Sequence, residues 1–250
     1  MNKVKINKIP NEVKITISDK PMYLPVALQE SINSYWEFLT EKGKMFYRGE
    51  LFSIKEMKET GTELLVTLQR TDYAHFLFSK YCKIPNNFKC RVIVANGLIL
   101  TKDNFFILGE MNNQTSTPGR IQFIAGGIDD NDIIGNTVDI FSSLIREAKE
   151  EIGLDLNNQK LVQKVEPRYI VHWGNIALVY LIQLNIDSVD FLTQYKQFEK
   201  CLYDTGIEPE FSSIVLLSAD YASVSDFLRF DERPKLDFLA TVLKKEMKIK

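Results

Sequence analysis

Three glutamates fall within one helical turn of this chain. They lie in the run Arg146-Glu147-Ala148-Lys149-Glu150-Glu151-Ile152-Gly153-Leu154. At about 100° per residue, Ile140, Phe141, Leu144, Ile145, Ala148 and Ile152 share one apolar arc of roughly 140°. Glu147 and Glu150 fall just outside that arc, and Glu151 falls inside its edge, between the directions of Ile140 and Leu144. A solvated acidic face, with Arg146 supporting Glu150 at i+4 for roughly 0.3 kcal/mol, accounts for the first two. It does not account for Glu151, because a carboxylate beside a buried stripe loses solvation unless something pairs with it. A hard, oxygen-seeking cation such as Mg²⁺ would be that partner. It would polarise a phosphoryl oxygen and acidify a bound water. Asp139, two turns earlier on the same stripe, is the candidate to hold Arg146 in place.

The helix that carries these acids is expected over 137–152, closed by Gly153. Before it, 121–125 reads as a strand running into Gly126-Gly127, followed by the acidic loop Asp129-Asp130-Asn131-Asp132. Apolar stretches at 90–95, 98–100 and 105–108 read as strands, and 111–120 as a loop. Further strands are expected at 168–172, 176–184 and 214–217, and amphipathic helices at 189–203, 223–230 and 236–247. Upstream, 13–17 alternates as a strand and Pro25 opens a helix stopped near Gly43. Residues 51–57 and 64–68 form a hairpin, and Asp72 caps a second helix. The turn cluster Pro85-Asn86-Asn87 divides the chain into a smaller N-terminal α+β unit, 1–87, and a larger part, 88–250. The fold class is α/β (α+β), with a mixed sheet.

The chain's 250 residues are 45% apolar, enough for a sizeable core without disulfide staples. With 31 basic against 33 acidic side chains, nothing suggests an electrostatic grip on nucleic acid. Three scattered cysteines, Cys82, Cys90 and Cys201, exclude a disulfide framework and a CxxC zinc site and suit a reducing compartment. The N-terminus lacks the apolar core of a signal peptide, and no stretch reaches the roughly 20 residues of a membrane helix. A cytoplasmic protein without a membrane partner is expected.

The run from Arg146 resembles the second half of the Nudix box, G-x5-E-x7-R-E-U-x-E-E-x-G-U, where U is aliphatic. Arg146, Glu147, Glu150, Glu151, Gly153 and Leu154 match, and Ala148 is a small substitute for U. The first half departs: Val138 stands at the box's glutamate and Asp132 at its glycine. Phe123-Ile124-Ala125-Gly126-Gly127 is similar to the family's strand-to-loop entry. The segment 139–145, the loop after Gly127 and the N-terminal unit resemble the members that split UDP-glucose and UDP-galactose.

The resemblance implies a Nudix α/β/α sandwich over 88–250. It implies a diphosphatase that cuts a small-molecule nucleoside diphosphate derivative, with a nucleotide sugar favoured. ADP-ribose or dinucleotide polyphosphate hydrolysis, and a nucleotide-sensing module without turnover, remain alternatives, and homodimer formation is left open. Glu147, Glu150 and Glu151 would bind Mg²⁺, or Mn²⁺ in its place, with Gly127 beside them. Glu147 or a more distant glutamate would deprotonate water, and Arg146 would orient the glutamates. Glu210, with Glu208 second, would be the acid added from a later loop. Gly126 would let backbone approach the phosphates. Arg168 is a candidate diphosphate clamp or an ion pair with Glu166, and His172, beside Trp173, is a sugar or base contact or a strand-end residue. Phe123 is a base-stacking or a core aromatic. Arg120 and the loop 112–117 are in reach of such a ligand without any signal that decides it.

Overall fold

The computed structural model describes residues 4–44 and 46–249. In chain order the strands are β1 (Lys5–Lys8), β2 (Glu12–Ile17), β3 (Glu50–Glu59), β4 (Glu63–Asp72), β5 (Ile93–Leu100), β6 (Phe105–Met111), β7 (Ile121–Gln122), β8 (Ile124–Gly126), β9 (Ile133–Ile134), β10 (Thr137–Val138), β11 (Val162–His172), β12 (Ile176–Leu184) and β13 (Phe211–Ser218). The helices are α1 (Val26–Glu41), α2 (Tyr73–Tyr81), α3 (Ile140–Ile152), α4 (Ser188–Asp204), α5 (Tyr221–Phe230) and α6 (Leu239–Glu246).

The larger sheet runs β1-β11-β12-β5-β6-β13. Its centre is the parallel pair β12 and β5, and the other neighbours are antiparallel. β5 alternates strictly between two environments, as a strand covered on both faces must. Ile93, Ala95 and Ile99 face the core shared with Leu144 and Ala148 of α3 and Phe191 of α4. Val94 and Leu98 face the opposite core, with Val224 of α5 and Val242 of α6. The sheet is therefore a layer between helices, the mixed α+β arrangement expected from the sequence.

β5 and β6 pair only at Ile99–Ile107 and Leu100–Phe106. Beyond that point they part, and the fork is filled by β8 against β5 and β7 against β6. The single strand expected over 121–125 is thus two short strands on different partners, with Phe123 at the crossing. The two apolar stretches at 90–95 and 98–100 are conversely one strand, continuous through Asn96-Gly97.

The N-terminal unit forms a second sheet, β3-β4-β2-β10-β9. It exchanges strands with the larger part in both directions. β1 pairs with β11, while β9 and β10, from the loop after Gly127, extend the N-terminal sheet alongside β2. Ile15, Phe52 and Leu68 share one core cluster with Ile93 and Leu144. Thr137-Val138 is accordingly a strand rather than a first helical turn. β-Branched side chains suit that role, and Asp139 then starts α3 by accepting from the backbone N–H groups of Phe141 and Ser142. Among the described residues, no helix is long and apolar enough to cross a membrane.

Candidate active site

α3 presses Leu144 and Ala148, both fully buried, against the sheet and ends at Gly153, whose φ of 70° is the left-handed cap conformation glycine adopts freely. This packing fixes the rotation of the helix and hence the direction of its acids. Arg146 lies across them. Its Nη1 donates to Glu147 Oε1 at 2.7 Å and Glu150 Oε2 at 3.2 Å. Its Nη2 donates to the carbonyl of Gly127 at 2.9 Å and to Asp132 Oδ2 at 3.2 Å. The anchor is therefore Asp132, 2% exposed, and not Asp139, whose oxygens are taken up by the start of α3. Partial burial works against the guanidinium charge, but Glu147 and Asp132 outweigh it and raise its pKa.

Glu151 points inward. It is 2% exposed; Oε2 accepts from the backbone N–H of Ala125 at 3.1 Å, and Oε1 is buried with no partner. Burial, then Glu210 and Glu147, drive its pKa well above the carboxylate range. Glu147 is pushed up to about 7, mainly by burial, with Arg146 opposing and Glu210 and Glu150 adding to the rise. Glu210, just before β13, is likewise raised by burial, with Arg120 opposing. Glu147 lies so close to β8 that a Cβ on Gly126 would sit 1.8 Å from its carboxyl carbon. Only a glycine permits that approach.

Among the described residues no three His, Cys, Asp or Glu side chains are gathered into a ready-made metal cage. What the site presents is a set of mutually repelling carboxylates, one with a buried, unpaired oxygen. That demand fits an oxygen-liganded divalent cation in charge and donor type.

Beside Gly126 opens a cavity of about 500 Å³. Ala125, Gly126 and Glu210 form one side, and Tyr73, Phe76 and Lys80 of α2 form another. Thr115, Ser116, Thr117 and Arg120 bring the 112–120 loop into it, and Trp173 reaches it from the end of β11. The loop is tied at both ends. Tyr81 donates to the Ser116 carbonyl at 2.7 Å, and Gln114 donates to Glu208 at 2.8 Å. Asn112 binds the carbonyls of Pro209 and Glu210. Glu208 is thus a loop fastener, while Glu210 faces the cavity.

Four residues expected at the ligand behave otherwise. Phe123 is completely buried, its ring 6.2 Å from that of Phe238, and offers no face for stacking. Arg168 lines no part of the cavity and pairs with Glu246 at 3.4 Å and Glu166 at 3.8 Å. His172 Nε2 lies 2.9 Å from Glu59, in a separate cleft with Lys5 and Lys8. Gly127 does line the cavity, but its carbonyl oxygen already accepts from Arg146 and from Ser143 Oγ at 2.9 Å. Sequence reasoning missed Asn96 and Lys80. A lone amide inside an otherwise apolar strand was the available sign of the first, and nothing in the sequence singled out the second.

No family model matches the chain, and no curated protein does. Solved structures similar to it include a Deinococcus radiodurans protein at 12% identity, covering 62% of this chain and 82% of that one, with a TM-score of 0.43. The NUDIX domain of Shewanella oneidensis NrtR, solved with ADP ribose, is 10% identical over 69% and 96% of the two chains, with a TM-score of 0.39. A C. elegans Ap4A hydrolase is 17% identical over 61% and 93%, with a TM-score of 0.36. At such scores and identities a likeness decides no chemistry, which has to come from this chain's own residues.

Proposed function

We propose that this chain is a divalent-metal-dependent hydrolase of the Nudix kind, cutting the diphosphate linkage of a nucleoside diphosphate joined to a second moiety. The observation that carries this reading is Glu151, a buried carboxylate with one unpaired oxygen, crowded by Glu147 and Glu210. An arrangement so unfavourable alone is balanced by a bound cation. A nucleotide sugar, split to a nucleoside monophosphate and a sugar 1-phosphate, is the favoured substrate. ADP-ribose and dinucleotide polyphosphates are the alternatives.

Glu147, Glu150 and Glu151 would hold Mg²⁺, or Mn²⁺ in its place, with Glu210, whose charge acts on Glu147 and Glu151, as the further acid. When bound, the ion supplies Lewis-acid polarisation of a phosphoryl oxygen and a more acidic water. Arg146 keeps Glu147 and Glu150 in register from the side of Asp132. Glu147 has one oxygen engaged by Arg146, and without metal burial pushes its pKa up to about 7, a cost that a bound cation would offset. The aromatic wall of Tyr73, Phe76 and Trp173 suits a base or sugar ring.

A module that binds nucleotide without turnover is the second reading, favoured by Val138 at the box's first glutamate. Asp132 weighs against it, since this departure from the box anchors Arg146. The test is release of nucleoside monophosphate from UDP-sugars, ADP-ribose and dinucleotide polyphosphates with Mg²⁺. Turnover by the wild type, abolished in Glu151→Gln, is expected; equal inactivity of both on every compound overturns the proposal.

A further inference from the structure

The cavity holds more hydrogen-bonding capacity than the protein uses. Asn96, 1% exposed, has a buried Nδ2 with no partner, and so do Thr117 Oγ1 and Arg120 Nε. All three residues line the same cavity. An unmade hydrogen bond in a buried site costs free energy, and a donor keeps that penalty only until something accepts from it. Asn96 Nδ2 and Arg120 Nε are donors alone, so what they lack is an acceptor.

Two cations are added to this deficit. Arg120 and Lys80 both face the cavity, and neither forms an ion pair among the described residues. Burial, and then the nearby Arg120 charge, lower the Lys80 ammonium to about 8. Asp237 partly offsets both charges from the α6 side, and Glu210, Tyr73 and Tyr81 act on Arg120.

The groups also follow an order. Asn96 stands opposite Ala125 in the β5–β8 ladder, and Ala125 donates to Glu151. Arg120, from the 112–120 loop, shares the cavity wall with Glu210 and with Lys80 of α2. Arg120 spends Nη2 on Gln122 and keeps Nε free, so donors line the cavity from β5 through the 112–120 loop to α2.

We propose that Asn96, Arg120 and Lys80 form the phosphoryl-binding subsite of this cavity, making the N-terminal unit's α2 part of the substrate site rather than an appendage. This rests on the hydrolytic reading for the identity of the ligand, a nucleoside diphosphate derivative. It replaces Arg168 as the clamp. The guanidinium and ammonium take phosphoryl oxygens by charge-assisted hydrogen bonds, and the Asn96 amide donates to another acceptor oxygen of the same ligand.

Calorimetry with ADP, UDP and inorganic pyrophosphate, in EDTA so that no cation bridges the ligand to the carboxylates, tests the subsite's own contribution against that acidic background. Lys80→Gln and Asn96→Leu are each expected to weaken binding of ADP or UDP about 10-fold or more, with Lys80→Arg restoring most of it. The melting temperature gives the second readout. Asn96→Leu removes an unpaired buried donor, so the free protein is expected to melt no lower than wild type while binding falls. Unchanged affinity in both variants, or loss of affinity in Asn96→Leu only in step with loss of stability, overturns the subsite. Pyrophosphate binding that depends on Lys80, in a protein that hydrolyses nothing, would leave the subsite standing and remove the hydrolytic reading. Metal-dependent turnover with KM indifferent to Lys80→Gln would do the reverse.

Discussion

Ala125 donates its backbone N–H to Oε2 of Glu151 at 3.1 Å, while Oε1 of the same carboxylate is buried without a donor. Burial, then the neighbouring Glu210, Glu147 and Glu150, push that carboxyl's pKa well above its ordinary value and so favour its protonated form. Glu151→Gln copies the protonated shape. Its melting temperature without metal is expected to match wild type near pH 7, and the stabilisation given by Mg²⁺ is expected to vanish. Turnover should fall by at least about 100-fold, the usual scale for removing an electrostatic stabiliser. Thermal melts with and without Mg²⁺, beside a rate measurement, check all three.

The same acids set a pH dependence. Glu147 rises from its ordinary 4.5 to about 7 on folding, chiefly by burial, and Glu151 and Glu210 shift the same way. A carboxyl whose pKa is raised holds its proton more tightly folded than unfolded. Its contribution is complete below the ordinary value and is lost as pH rises through the folded one. Metal-free protein should therefore lose stability between about pH 5 and about pH 7.5, by on the order of 3 kcal/mol from Glu147. Mg²⁺ should oppose the loss, so its stabilising effect grows over that window. A metal-free stability that climbs with pH there contradicts these assignments.

Arg146 joins four acceptors, and one of them, Asp132, is 2% exposed. Arg146→Met leaves that buried carboxylate only the backbone N–H of Asp129 and no counter-charge, and should destabilise by about 3 kcal/mol. Adding Asp132→Asn should recover part of the loss in stability but none of the activity, because Glu147 and Glu150 stay unrestrained. Denaturant melts of the single and double variants measure the coupling.

Gly126→Ala sets a methyl group where the Glu147 carboxyl now lies. The far end of that side chain can swing away, so the stability loss should be modest, about 1–3 kcal/mol. Displacing Glu147 should reduce kcat by about 100-fold with little change in KM. A variant with wild-type kcat would show that Glu147 does not act from its present position.

The parts of this architecture set by local pattern were legible in the sequence. The stripe from Ile140 to Ile152 predicts α3 and turns Glu151 inward, and Asp72 and Gly153 mark their helix ends. What could not be read depends on partners distant in the chain. Val138 looks helical until β2 is beside it, and Asp132 looks like a lost glycine until Arg146 reaches it. Phe123 is apolar next to the glycines whether it faces ligand or core, and only the fork between β5 and β6 decides. Arg168 has the right chemistry for a phosphate but stands against Glu246, 78 residues away. Lys80 enters the cavity because α2 packs there, which no local spacing encodes.

The most direct measurement is an anomalous difference map from crystals grown with Mn²⁺. An ion is expected at about 2.2 Å from Glu151 Oε1, with Glu147 or Glu150 also among its ligands. Hydrolysis proceeding while Glu151 Oε1 stays bare, with Mn²⁺ bound elsewhere, would contradict the account.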